Sequence, residues 1–332
     1  MLFYLIRRII YILITLWLVS IVSFVLIQLP PGDYLNSYIM QLQQAGTEVT
    51  EAEVASLRKQ YGLDLPIYFQ YFKWISNIIL RRDFGISFVW NKPVSTLIKE
   101  RIGFTMAIGF LSAFFVLVVS IPIGIYCATH QYSITDYIFT FVGYSGLATP
   151  NFLFALLLMF FAFKYFGLSV GGLFSPEFTR ASWSLAKFID MLKHIWIPIV
   201  VLGTAGTCGY IRRMRAILLD ELRKQYVITA RAKGLKERFL IFKYPVRVAI
   251  NPLISGLGGL ITQIFGGGGI VAIVLALPTI GPLHFRALLS QDMYLAGSLL
   301  LMSCVLSLIG ILTADILLVL IDPRIKYERQ IR

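Results

Sequence analysis

The chain has 332 residues, of which 58% are hydrophobic and only 14% are charged, and its mean hydropathy is +0.77. This composition excludes an ordinary soluble protein and indicates a chain that lies in a lipid bilayer. The net charge of +13 matches basic loops beside a membrane, and in so apolar a chain it does not indicate nucleic-acid binding.

Apolar runs predict six membrane spans. A helix needs roughly 20 apolar residues to cross the hydrocarbon of a bilayer. Runs that meet or approach this length predict spans at 9–29, 102–129, 137–163, 195–211, 248–276 and 293–321, and the fourth is the shortest. We therefore expect an all-α membrane protein that forms a single domain over 1–332. Proline and glycine inside spans mark expected bends, at Pro122, Pro150 and Gly266.

The first span follows Arg7 and Arg8, as the apolar part of a signal peptide would. Its run is too long and lacks a small-residue cleavage pattern, so we expect it to remain as an anchor. The next segment, 30–101, is predicted to be external. A capping-box pattern at Thr50 and Glu53 predicts one short helix there. The aromatic run at 68–75 favours a helix that lies on the membrane surface.

The distribution of basic residues predicts the orientation. With the N-terminus inside, the inner segments hold 17 Lys and Arg against 6 acids, and the outer segments hold 13 against 10. Because positive charge concentrates on the cytoplasmic side, both termini are predicted to be cytoplasmic. The inner segments are 1–8, 130–136, 212–247 and 322–332, and the outer segments are 30–101, 164–194 and 284–292.

The most informative segment is the basic loop 212–247 between the fourth and fifth spans. Ala230, Ala232 and Gly234 place small side chains at alternate positions, and a glycine after a helical stretch permits the left-handed residue of a sharp turn. We interpret this corner as a docking surface and not as a catalytic site. Apolar repeats predict a short amphipathic helix on each side; they are Leu218, Leu222 and Tyr226 before the corner, and Leu235, Phe239 and Phe242 after it.

No catalytic or metal-binding constellation emerges from the sequence. The three histidines fall near predicted span ends without metal-ligand spacing. The glycine run 266–269 lacks the Lys-Ser or Lys-Thr of a phosphate loop, so close helix packing or a flexible break explains it better. Asp315 lies inside the last span, where charges usually pair or face the bundle interior. We expect a structural pairing role for it in preference to substrate contact.

Several separated motifs together resemble one family. In chain order they are YLIRRIIYILITLWLVSIVSFVLIQLPPGD, YGLDLPIYFQYFKW, DFGISF, TMAIGFLSAFFVLVVSIPIGI, GLATPNFLFALLL, TARAKGL, LPTIGPL and DILLVLIDPRIKY. The chain thus resembles the permease subunit of a dipeptide/oligopeptide-type ABC importer, of the kind that depends on a binding protein. The motifs cover most of the chain in the family's order.

The resemblance implies specific roles for the loop residues. Its TARAKGL run is similar to the importer coupling motif, which fits a groove on the ATPase subunit. Two positions depart from common patterns. Ile228 stands where the general importer motif has an acid that the peptide class commonly lacks, and Ala272 stands where the family often has an acid before the Pro-x-x-Gly. The coupling positions so implied are Thr229, Ala230, Arg231, Ala232, Lys233, Gly234 and Leu235, followed by Lys236, Glu237 and Arg238.

The resemblance also implies partners and a location. They are a second related permease, two ATPase subunits that bind ATP and Mg, a solute-binding protein outside, and membrane lipid, in a bacterial or archaeal cytoplasmic (inner) membrane. External contacts are implied at 30–101 and 278–292. The chain itself is then no enzyme and binds no cofactor or metal. Peptide is the implied substrate, with oligosaccharide or another small solute as the alternative.

Two functions from other classes remain open at this point. A stand-alone channel or secondary carrier is expected to show inverted repeats or more charge inside its spans. An intramembrane enzyme would need a catalytic pair within the spans, and the sequence shows none.

Overall fold

The computed structural model describes residues 2–28, 65–87, 89–167 and 171–321. Within these ranges the regular structure is helical, apart from one isolated bridge between Ile86 and Pro93. An all-α architecture follows, as the apolar runs predicted. The helix expected at Thr50 and Glu53 lies outside the described residues, as does the C-terminal segment 322–332.

The described residues form thirteen α-helices, and α2 continues into a π-helical segment at Asn77–Arg81. In chain order the helices are α1 (Leu2–Gln28), α2 (Ile67–Ser76), α3 (Val94–Thr129), α4 (Ile134–Ala148), α5 (Asn151–Phe166), α6 (Leu185–Leu222), α7 (Gln225–Ala232), α8 (Glu237–Lys243), α9 (Pro245–Ser255), α10 (Leu257–Gly267), α11 (Gly269–Val274), α12 (Ile280–Leu289) and α13 (Met293–Ile321).

Four helical stretches are long and apolar enough to cross a membrane, and the bent pair α4–α5 would make a fifth span. The uncharged part of α6, 195–211, is short and is flanked by charged residues at both ends. The chain is therefore a helical multi-pass protein, and the sixth span and the orientation stay predictions. The four stretches are Ile6–Val25, Val94–Thr129, Glu237–Gly266 and Tyr294–Leu320.

The predicted third span, 137–163, is two helices that meet at an angle of 106°. The break falls at Thr149 and Pro150, and both residues have extended ψ angles. Proline supplies no backbone N–H and disfavours helical geometry in the residue before it, so α4 must end here. The bend expected at Pro150 is confirmed, whereas Pro122 lies inside an unbroken α3.

The predicted fifth span, 248–276, is divided among α9, α10 and α11, with breaks at Gly256 and Gly268. A break therefore explains the glycine run 266–269, while close packing at Gly266 does not, because a Cβ there would meet no atom within 4 Å. Close packing does occur at Gly268 of the same run, where a Cβ would lie 2.6 Å from Ile264 O and 3.4 Å from Leu202 Cδ2. It also occurs at Gly258, where a Cβ would lie 2.8 Å from the Cα of Ile311.

The helix predicted before the corner is wrong in its extent. Leu218 and Leu222 end the long helix α6, and Tyr226 belongs to the separate helix α7. Lys224 between them has extended backbone, at φ −75° and ψ 149°. The segment 278–292, implied as an external contact, contains α12. At Lys224 a local repeat could not predict where the backbone bends.

The chain divides into two compact units. The first comprises 1–103 and 279–305. In it, Phe24 of α1 packs against Tyr71 and Trp74 of α2, with ring centroids 5.5 and 5.8 Å apart. The Tyr71 hydroxyl also lies 2.8 Å from Ser20 Oγ. These contacts hold α2 against α1.

The second unit comprises 104–278 and 306–332, and it contains the main hydrophobic core. Met214 and Leu218 of α6 are fully buried there. Glycine lets α3 approach α6 closely, because a Cβ on Gly124 would lie 2.6 Å from Met214 Cβ, and one on Gly203 would lie 2.5 Å from the Phe115 ring. A single domain over 1–332 stays a prediction.

Candidate functional site

The basic loop forms a corner between α7 and α8, and Gly234 lies at its turn. Its φ angle is +77°, in the left-handed region where glycine is favoured. Backbone bonds from Lys233 N to Thr229 O at 3.1 Å and from Gly234 N to Arg231 O at 3.0 Å close the end of α7. The expectation of a left-handed glycine at this position is confirmed.

A small hydrophobic core supports the corner from inside. Val227 and Leu240 are fully buried, and Ala230 is 8% exposed between them. Leu235 packs against this cluster. Ala230 therefore serves the packing of α7 against α8, and its small side chain is not presented to a partner. Of the three small residues at alternate positions, only Ala232 and Gly234 are exposed.

The outer surface of the corner is exposed and mainly basic. Arg231 and Glu237 form a two-point ion pair across the turn, with Nε–Oε2 at 3.0 Å, and the Glu237 hydrogen bond raises the pKa of Arg231. Both side chains are about half exposed, so solvent screens this pair. The exposed predicted residues are Thr229, Arg231, Ala232, Lys233, Gly234, Lys236, Glu237 and Arg238.

Glu221 joins the corner to the end of α6. Its carboxylate is buried and accepts hydrogen bonds from Lys224 Nζ and from the Tyr226 hydroxyl. Burial alone would raise the pKa of Glu221, but these hydrogen bonds outweigh it and lower the pKa. Burial, and then the bond to Glu221, raises the pKa of Tyr226. Sequence reasoning missed this joint, because it assigned Tyr226 to an apolar stripe.

The other predicted residues lie on separate elements. Pro150 occupies the break before α5, and Gly266 is exposed on α10. Asp315 is half-buried on α13, next to Ala314 of the main core. Ala272, which stands where the family often has an acid, is buried in α11. These positions do not form part of the corner.

Comparison with known proteins identifies the family. The model of the binding-protein-dependent transport system inner membrane component matches residues 120–327, and the N-terminal model of the same membrane component matches 1–109. The chain belongs to this family. It is a permease subunit of a binding-protein-dependent ABC importer and a multi-pass inner membrane protein.

Relatives over the full length support this assignment. The permease is 34% identical to the oligopeptide transport system permease protein AppB of Bacillus subtilis, covering 98% of this chain and 99% of the relative. It is 30% identical to the glutathione transport system permease protein GsiC of Escherichia coli, covering 99% and 100%. The resemblance inferred from the motifs is thereby confirmed.

A solved structure shares the fold of the permease. It is an inward-facing conformation of the MetNI methionine ABC transporter, with a TM-score of 0.53 and 16% sequence identity. The similarity covers 69% of this chain and 97% of that chain. At this identity it establishes the fold alone.

Proposed function

We propose that this permease forms half of a peptide-translocation pathway and works by ATP-driven alternating access. Two relatives named for oligopeptide and glutathione transport support peptide as the substrate, since glutathione is itself a small peptide. Alternating access requires two conformations that bind solute from opposite sides. The permease would be one of two related permease subunits in a single domain of six spans, with both termini cytoplasmic.

The exposed basic corner supports the proposal that a partner protein supplies the energy for transport. The buried core of the corner fixes its shape. Ala232 and Gly234 are exposed and small, so another protein can approach the backbone closely at these positions. The segment from Thr229 to Arg238 would meet the ATPase subunit, while Ala230 within it supports the corner from the buried side. The partner ATPases would bind ATP and Mg, and the permease would be no enzyme itself.

Reconstitution tests this division of labour. In liposomes supplied with ATP, the permease alone is expected neither to hydrolyse ATP nor to concentrate peptide. Addition of the second permease, both ATPases and the binding protein should restore both activities. Concentrative uptake by the lone chain, driven by an ion gradient, would contradict the proposal and favour a secondary carrier. Competition by oligosaccharide in place of peptide would identify the alternative substrate.

Orientation can be tested by labelling in intact cells. Single cysteines at Glu177 and at Lys236 lie on segments predicted to face opposite sides of the membrane. An impermeant thiol reagent added outside is expected to modify position 177 and not position 236. The cysteine-free parent lacks Cys127, Cys208 and Cys304, which form no disulfide. Labelling at 236 from outside would overturn the orientation and the cytoplasmic assignment of the corner.

A further inference from the structure

An ion pair between a buried carboxylate and a partly buried guanidinium joins α4 to α6. Arg215 of α6 donates from Nε to Asp136 Oδ1 at 3.0 Å and from a terminal nitrogen to Oδ2 at 2.8 Å. Asp136 is 3% exposed and lies in the first turn of α4. Parallel hydrogen bonds of this kind fix the orientation of both groups as well as their distance. The two residues are 79 positions apart in the chain.

Hydrogen bonds within the turn that begins α4 also hold Asp136 in place. Asp136 Oδ2 accepts a hydrogen bond from Tyr132 N at 3.1 Å, and Asp136 N donates to the capping Ser133 Oγ at 3.2 Å. A negative charge at a helix N-terminus is further favoured by the helix dipole. Arg215 therefore binds a carboxylate that cannot rotate without disturbing the start of α4.

A second contact shows that α4 follows α6 over its length. A Cβ on Gly146 would lie 3.2 Å from both Cys208 Sγ and Thr204 Cγ2, so the two helices approach closely there. Asp136 meets Arg215 and Gly146 meets Thr204, so the helices run antiparallel. The ion pair fixes one end of α4, and the glycine contact lies toward the other end, before the break at Pro150.

In the opposite direction, α6 ends at Leu222, and α7 with the corner follows after a break at Lys224. The helix is continuous from Arg215 to Leu222, and Glu221 in this stretch binds Lys224 and Tyr226. A displacement of α7 would reach the end of α6 through Glu221, and about two turns earlier in the same helix Arg215 binds Asp136 of α4. Rigid helices joined by buried polar contacts can carry coupling of this kind.

We propose that the Arg215–Asp136 pair is a positioning contact that makes the bent helix pair α4–α5 move with the corner. This inference rests on the proposed function, in which the corner meets an ATPase. The alternative is a contact that only stabilises the fold. Arg215→Lys distinguishes the positioning role from a purely stabilising one. Lysine keeps the charge but lacks the planar fork that fixes α4 against rotation.

The test uses the full complex in proteoliposomes and measures peptide transported per ATP hydrolysed. We expect Arg215→Lys and Asp136→Asn to hydrolyse ATP while transport per ATP falls by about fivefold or more, the lower end of typical coupling between sites. Arg212→Lys is the matched control, since Arg212 is exposed on the same helix, and its ratio should equal that of the wild type. A double-mutant cycle with both changes should show non-additive loss.

A distance measurement in the assembled complex gives a readout that does not depend on transport activity. Spin labels at Thr140 on α4 and at Arg223 after α6 occupy exposed positions. In the wild type, the distance between them should be the same with and without bound ATP, because the helices move together. In Asp136→Asn it should change or broaden on ATP binding.

Two results would overturn the inference. The first is a wild-type ratio of transport to hydrolysis in both Arg215→Lys and Asp136→Asn. The second is a label distance that changes equally in the wild type and the variant. A wild-type complex that shows no ATP-dependent uptake would refute the proposed function itself, and the inference would fall with it.

Discussion

Four glycines of the described residues have positive φ, and two of them, Gly85 and Gly234, lie in turns with opposite surroundings. Gly85 has φ +84°, and a Cβ on it would lie 3.0 Å from the Tyr294 ring. Gly234 has φ +77°, and a Cβ on it would meet nothing within 4 Å. The Tyr294 ring fills the space beside Gly85, whereas the space beside Gly234 is open. An open turn of fixed shape suits contact with another protein.

The acids beside the two turns differ in the same way. Asp292 is fully buried and accepts hydrogen bonds from Ser87 Oγ at 2.5 Å, Val89 N at 3.3 Å and Leu295 N at 3.2 Å. Glu237 is about half exposed and pairs with Arg231. Buried hydrogen bonds to a charged group stabilise a fold far more than a screened ion pair does. The first turn is therefore built for stability and the second for access.

The largest effect is expected at Asp292. Asp292→Ala would leave the buried Ser87 hydroxyl without its carboxylate acceptor, at a cost of about 3 kcal/mol of folding free energy. Thermal unfolding of the purified permease in detergent measures this loss. Glu237→Ala is the matched control at the other turn and should unfold close to the wild-type temperature. Equal destabilisation by the two substitutions would contradict the contrast between the turns.

The next largest difference in unfolding temperature is expected between Gly85→Ala and Gly234→Ala. Both substitutions carry the cost of a left-handed residue, about 1 kcal/mol, and Gly85→Ala also pushes a methyl group against the Tyr294 ring. We expect Gly85→Ala to lower the unfolding temperature more than Gly234→Ala does. A larger loss in Gly234→Ala would show that the space beside Gly234 is not open.

Valine at Gly234 separates stability from function. Its β-branched side chain adds strain at positive φ and covers the open face, so transport and transport-stimulated ATP hydrolysis should both fall while membrane insertion is retained. The assay is peptide uptake by the reconstituted complex, with the amount of inserted permease measured by immunoblot. Uptake at the normal rate would show that the corner does not contact the ATPase.

The joint at Glu221 is expected to weaken in acid. Its pKa in the folded protein lies below the ordinary value of 4.5, so it adds stability above about pH 4.5 and loses it as the pH falls through the lower folded pKa. The protection of α7 against hydrogen exchange should therefore stay constant from pH 6 to pH 4.5 and fall below pH 4.5. Glu221→Gln removes this titration, so the fall should be absent in that variant. A fall of equal size in both proteins would assign the acid sensitivity elsewhere.

The smallest effect is expected from the exposed pair across the corner. Glu237→Gln removes a screened interaction worth about 0.5 kcal/mol, and salt should reduce even that difference. Unfolding temperatures of the variant and the wild type at low and high ionic strength measure it. In 1 M salt, charges are screened over about 3 Å. A difference in unfolding temperature that persists in 1 M salt would show that solvent does not screen the Arg231–Glu237 pair.

Local patterns predicted the features that depend on neighbouring residues. The apolar runs predicted a helical membrane protein, since length and hydropathy are properties of a contiguous segment. The left-handed Gly234 and the bend at Pro150 followed from the backbone limits of those two residues. The family likewise followed from motifs in the correct order, and full-length relatives confirmed it.

Features that depend on contacts between distant segments could not be predicted. The stripe that placed Tyr226 with Leu218 and Leu222 ignored the extended Lys224, whose conformation is supported by the bond between Lys224 and Glu221. Nothing local indicated that Ser87 would bind Asp292, or that Ala230 would be buried beneath the corner. A repeat of three or four residues specifies a helix face, but it does not specify what that face meets.

The sequence by itself determined the membrane class, the family and the position of the corner, because each follows from composition, order or local backbone chemistry. Only the tertiary structure decided which charges are buried and paired. Asp136 and Arg215 are 79 residues apart, and each alone has the appearance of an ordinary residue near the end of a span. Close packing of α4 along α6, which Gly146 permits, brings the partly exposed guanidinium to the buried carboxylate.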